Sequence, residues 1–143
     1  MASLGIAFGI AGIAAAAALQ AVDGVALKMM VDRWAAASEP EKGALFSAAY
    51  GVRQIEIGLA AMTCLLLGIT TAIFGLALMI DARLPRWTAF LGIAGGFSTA
   101  ASGVVISTTG FSTLAMAINM PAVAVLMAWM IALGILGWRR SLY

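Results

Sequence analysis

The sequence has no histidine, one cysteine (Cys64) and three prolines in 143 residues. Without histidine there is no imidazole-ligated haem or zinc and no imidazole acid–base chemistry. A lone cysteine excludes an intramolecular disulfide, and no second thiolate is present to build a metal site. Charge is equally scarce: eight Lys or Arg and six Asp or Glu make up 10% of the chain. An ordinary soluble domain carries about 25% charged residues, so these cannot coat a globule, and intrinsic disorder would need far more charge and less apolar content. The net charge of +2 is not gathered into a basic run, which argues against nucleic acid as a partner. No metal or organic cofactor is expected.

What is present is apolar. Hydrophobic residues make up 64% of the chain and the mean hydropathy is +1.07, the composition of an integral membrane protein. A helix crossing about 30 Å of hydrocarbon needs about 20 apolar residues. Four segments qualify: 4–22, 57–80, 87–108 and 114–138. The first has no Lys or Arg before it, unlike a secretory signal, and reads as a retained span. The nine methionines read as apolar packing.

The connection between the first two spans, residues 23–56, holds five acids and four bases. Leu27, Met30, Val31 and Trp34 recur there at helical spacing, as do Leu45, Phe46, Ala49 and Val52. Ser38, followed by Pro40 and Glu41, has the signature of a helix start. The spacing therefore predicts two long helices, roughly 4–37 and 40–80, turning tightly between them and standing three to four turns above the membrane. The expected fold is an all-α integral membrane four-helix bundle, a single domain whose two long helices project as an extracytoplasmic hairpin. The other links are short. Arg83, Arg86, Arg139 and Arg140 crowd two short segments on one face, against Lys28, Arg33, Lys42 and Arg53 spread over the hairpin. That density predicts cytoplasmic termini and an outer hairpin, with Trp87 and Trp138 in the interfacial belt.

Gly5, Gly9 and Gly12 on the first span, and Gly92 and Gly96 on the third, are small-residue stripes suited to close helix approach, within the chain or between copies. Pro121 removes one backbone hydrogen bond, to the carbonyl of Ala117, from the fourth span. The hydroxyls of Thr70, Thr71, Ser98, Thr99 and Ser102 are expected to bond to carbonyls of the preceding turn. Cys64 is read as inert packing, with no role.

One polar constellation stands out. In a hairpin turning near residues 40–41, Glu56 falls level with Val25, and Asp23 lies about 3 Å from it in height. Lys28 and Arg53 are also level, Gln20 sits one turn beneath Asp23, and Ser102 and Asn119 lie at a depth that floors the same site. Three readings compete. The first is a salt-bridge network, Lys28 with Glu56 and Asp23 with Arg53, that fixes the hairpin register. The second is an outward-facing pocket for a lipid head group or small amphiphile. In the third, Asp23 and Glu56 share a proton or cation, as in a transporter. No nucleophile–base pair is evident, so an enzyme is not expected.

The stretches Val22-Asp23-Gly24-Val25-Ala26-Leu27-Lys28, Trp34-Ala35-Ala36-Ala37, Glu41-Lys42-Gly43-Ala44-Leu45-Phe46 and Val52-Arg53-Gln54-Ile55-Glu56-Ile57-Gly58 resemble a group of multi-pass bacterial membrane proteins known as a domain of unknown function; so do Leu84-Pro85-Arg86-Trp87 and Thr109-Gly110-Phe111. The resemblance implies a bacterial inner membrane location and no particular chemistry. The sequence is therefore read as a non-enzymatic membrane protein, a small subunit or a binder of lipid or a hydrophobic small molecule at its outer face. Its expected partners are membrane lipids and, in an assembly, further copies or a larger membrane complex. The alternative is a small transporter or channel component using Asp23 and Glu56.

Overall fold

The computed structural model describes residues 2–80 and 84–141, with side chains to residue 139. Segment 81–83, which includes Arg83, and the side chain of Arg140 lie outside the described residues, so two of the four arginines used to orient the chain are not placed. The described residues form four helices and no strand: α1 (Ala2–Ala36), α2 (Glu39–Ile80), α3 (Arg86–Thr109) and α4 (Thr113–Ser141). All four are long and apolar enough to cross a membrane. At about 1.5 Å per residue, α3 just spans a bilayer, whereas α1 and α2 exceed it by several turns. The long helical hairpin is thus present.

α1 is continuous but not uniform. A π-helical turn occupies Val22–Leu27, where the span ends and Asp23 and Gly24 enter. Gly24 is among the weakest helix formers, and leaving hydrocarbon lets a backbone carbonyl turn to water. The extra residue rotates every later side chain by roughly 100° from its place on an uninterrupted α-helix. The turn into α2 is made by Ala37, extended at φ −78° and ψ 153°. Ser38 then opens α2: its carbonyl accepts from the amides of Glu41 and Lys42, and its hydroxyl donates to the Glu41 carboxylate at 2.9 Å.

Glycines set how closely the helices pack. On α1, Gly5 faces Ile73 and Phe74, Gly9 faces Thr70, and Gly12 faces Leu66 and Leu67 of α2. The α2–α3 contact is closer still, with backbone against backbone: a Cβ on Gly68 would lie 2.5 Å from the Ala100 nitrogen, and one on Gly96 2.5 Å from the Ala72 nitrogen. Gly92 and Gly95 receive Trp129 and Val125 of α4. Lipid tails give helices no hydrophobic reason to associate, so this close approach supplies much of the attraction. The small-residue stripes thus serve the chain's own bundle. α3 is the central helix, with buried Thr88, Gly95, Thr99, Ser102 and Ile106 along it, and α1 leans on α2.

Thr70, Thr71 and Thr99 donate to carbonyls four residues back, and Ser102 to Thr99 three back, as expected; Ser98 is exposed and makes no such bond. α3 ends at Gly110, whose φ of 64° is a conformation that favours glycine. Ser112 caps α4, its hydroxyl accepting from the Ala115 amide at 3.2 Å. α4 continues through Pro121.

Candidate functional site

The inter-helix contacts fix the hairpin register. Carried upward from Gly5 and Gly12, the register brings Asp23 level with Glu56, two residues from the expected partner Val25. Equal height does not make a joint site. Asp23 lies on the π-turn and is exposed, as is Gln20 one turn below, whereas Glu56 is only 4% exposed.

Both expected cross-helix ion pairs are replaced by pairs within a helix. Lys28 meets Asp32, four residues on, rather than Glu56, with both side chains well exposed. Arg53 meets Glu56 rather than Asp23, its Nη1 donating to both carboxylate oxygens at 2.8 and 2.6 Å. The reason is geometric. Residues three and four apart on one helix are neighbours whatever the helix packs against, and the π-turn has rotated Lys28 away from its uninterrupted position. The exposed Lys28–Asp32 pair adds little to stability. The Arg53–Glu56 pair differs, because its carboxylate is buried and Arg53 is its one cationic partner among the described residues.

Arg53 has a second contact. Its guanidinium carbon lies 4.8 Å from the centre of the Phe111 ring, in the α3–α4 link. Glu56, Arg53 and Phe111 thus bind the base of the hairpin to the far helix pair. Beneath them is an apolar layer of Ala60, Ala61, Ile106 and Ala115, flanked by Leu19 and Ile57.

Deeper again is a second polar group, separate from the first. Asn119 Oδ1 lies 3.0 Å from Ser102 Oγ, whose one proton is shared between this oxygen and the Thr99 carbonyl, and Cys64 Sγ lies 3.7 Å from the same oxygen. Ser102 is fully buried. Cys64 is two turns below Glu56 on α2, so this cluster lies roughly 12 Å further into the membrane. It joins α2, α3 and α4 through one side-chain oxygen. Asn119 is no base, so the group has the chemistry of a structural hydrogen-bond junction. Cys64, read as inert from the sequence, belongs to it. Among the described residues no three His, Cys, Asp or Glu side chains gather to hold a metal.

Beyond the apolar spans the hairpin carries an aromatic ladder. Trp34 and Phe46 have ring centres 6.5 Å apart, and Phe46 and Tyr50 stack at 6.4 Å. Phe46 and Tyr50 are each 58% exposed and Trp34 39%. Phe46, Tyr50 and Arg53 follow at i, i+4 and i+7, so the ladder descends on one face of α2 to Arg53 and Phe111. The cavities lined by Phe74 and Trp129, by Gly68 and Phe97, and by Phe8 and Leu66 lie within the spans, and no residue of 23–56 lines them. The seven expected site residues therefore fall into three places: Arg53 with Glu56, Ser102 with Asn119, and Asp23, Gln20 and Lys28 on the surface.

No family model matches the sequence, and no curated protein or solved structure is significantly similar to it.

Proposed function

We propose that this chain is a non-enzymatic protein of the bacterial inner membrane that works by contact at its outer face, as a small subunit of a membrane assembly or as a binder of lipid or a hydrophobic small molecule. In this reading the termini are cytoplasmic and the hairpin is extracytoplasmic, with Arg86 and Arg139 on the inner side. One observation carries the proposal: an exposed ladder of Trp34, Phe46 and Tyr50 on the charged part of the hairpin, outside the apolar runs. Aromatic surface of this kind held in water marks an interaction site. The subunit form fits a ladder that stands on an open face rather than in a cavity.

The test is isolation from native membranes with identification of bound proteins and lipids. Phe46→Asp with Tyr50→Asp is expected to remove the bound partner while leaving yield and helicity unchanged. The same companions on the double variant would overturn the reading. The transporter alternative draws on the buried carboxylate of Glu56 beside a π-turn bearing Asp23. It ranks second because Arg53 neutralises Glu56 and Asp23 faces outward.

A further inference from the structure

At the opposite end of the bundle, α2 and α4 both lean on α3 but stand apart from each other, leaving a groove of about 380 Å³. Phe74, Ala77 and Leu78 form one wall, and Trp129 and Leu133 the other. No wall side chain offers a free polar atom. The only one present, Trp129 Nε1, donates to the Thr88 carbonyl at 2.7 Å. That bond pins α4 to the first turn of α3 and leaves the indole's apolar surface to the groove. Water would find no partners there, and a polar ligand would lose its own.

The height of the groove matters as much as its lining. Thr88, which holds Trp129, is two residues from Arg86, so that side of the wall is pinned about half a turn below the end of α3. Arg139 follows Leu133 by six residues, roughly 9 Å along α4. Trp87 and Trp138, 48% and 70% exposed, mark this level as the lipid–water interface. Arg86 and Arg139 are both exposed, and neither meets a carboxylate among the described residues. An apolar slot thus lies at the end of the bundle that carries these two exposed cations.

We infer that this groove holds one anionic phospholipid of the arginine-side leaflet, with an acyl chain between α2 and α4 and its phosphate between Arg86 and Arg139. The apolar walls select a chain, and the two positive charges select an anionic head group over a zwitterionic one. The site is independent of the outer-face proposal, being at the other end of the molecule and sharing no residue with it.

The test uses the full chain in nanodiscs of equal phosphatidylglycerol and phosphatidylcholine, released for native mass spectrometry. One phosphatidylglycerol is expected to stay bound in preference to phosphatidylcholine. Each of Arg86→Gln and Arg139→Gln is expected to lower that preference about fivefold, the usual strength of one basic residue at an anionic surface. Ala77→Phe, which fills the groove and keeps both arginines, is expected to remove the retained lipid altogether. Should that variant fail to fold, quenching supplies the same information. With Trp34, Trp87 and Trp138 changed to Phe, chain-brominated phosphatidylglycerol should quench Trp129 more strongly than brominated phosphatidylcholine at equal mole fraction. Equal retention of the two lipids, equal quenching, a preference unchanged in both arginine variants, or a dimer in place of the lipid adduct would overturn the assignment.

Discussion

Gly96→Val is expected to destabilise the folded chain by about 3 kcal/mol, the upper end of the usual cost of overpacking, measured by reversible unfolding in mixed micelles. The new side chain would start 2.5 Å from the Ala72 nitrogen and 2.7 Å from the Gly68 carbonyl oxygen. Both are backbone atoms, which no rotamer change moves, so relief requires α2 and α3 to part. Their separation would disturb the central helix and its contact with α4, because Gly92 and Gly95 on α3 receive Trp129 and Val125. Gly134→Ala is the control. Its Cβ meets nothing within 4 Å, so the change should be neutral or slightly stabilising through helix propensity. Equal losses at the two positions would show that glycine packing does not hold the bundle.

The second large effect concerns the buried carboxylate. Arg53→Met leaves Glu56, 4% exposed, without its counter-ion and is expected to cost about 2–3 kcal/mol. This is below the cost of breaking a fully buried pair, because the Arg53 side chain is 42% exposed and partly screened by solvent. Adding Glu56→Gln should recover most of the loss by removing the stranded charge. Lys28→Met should change stability by less than about 0.5 kcal/mol, since its pair with Asp32 is on the surface. A cycle in which Lys28, and not Arg53, couples to Glu56 would restore the cross-helix pairing that the structure replaces.

These two effects show what the sequence makes readable. Uncharged runs of about twenty residues, bounded by charges such as Asp23 and Glu56, place the spans directly. The Ser38-to-Glu41 start signal places the hairpin turn within a residue or two. The depth of Glu56 and Asp23 also follows, because helical rise turns residue number into height. Azimuth does not follow so simply. The π-turn at Val22–Leu27 inserts a rotation that no hydrophobic period announces, and it leaves Asp23 exposed. Pairing Arg53 with Glu56 needed only their three-residue spacing, a signal outweighed in the sequence reading by the level register of two helices. Phe111 carries no such signal, since a lone aromatic in a three-residue link has no period. Cys64 gains its neighbours only when α3 and α4 bring Ser102 and Asn119 to it.

The central claim is that α1 and α2 leave the bilayer together on the face where the α3–α4 link lies. Single cysteines placed at Ser38, Ser112 and Arg86 in a Cys64→Ala background, labelled in intact cells with a membrane-impermeant maleimide, test it most directly. The account predicts labelling of Ser38→Cys and Ser112→Cys from outside, and of Arg86→Cys only after the membrane is opened. Labelling of Ser38→Cys and Arg86→Cys from one face, with Ser112→Cys reached only from the other, would contradict it.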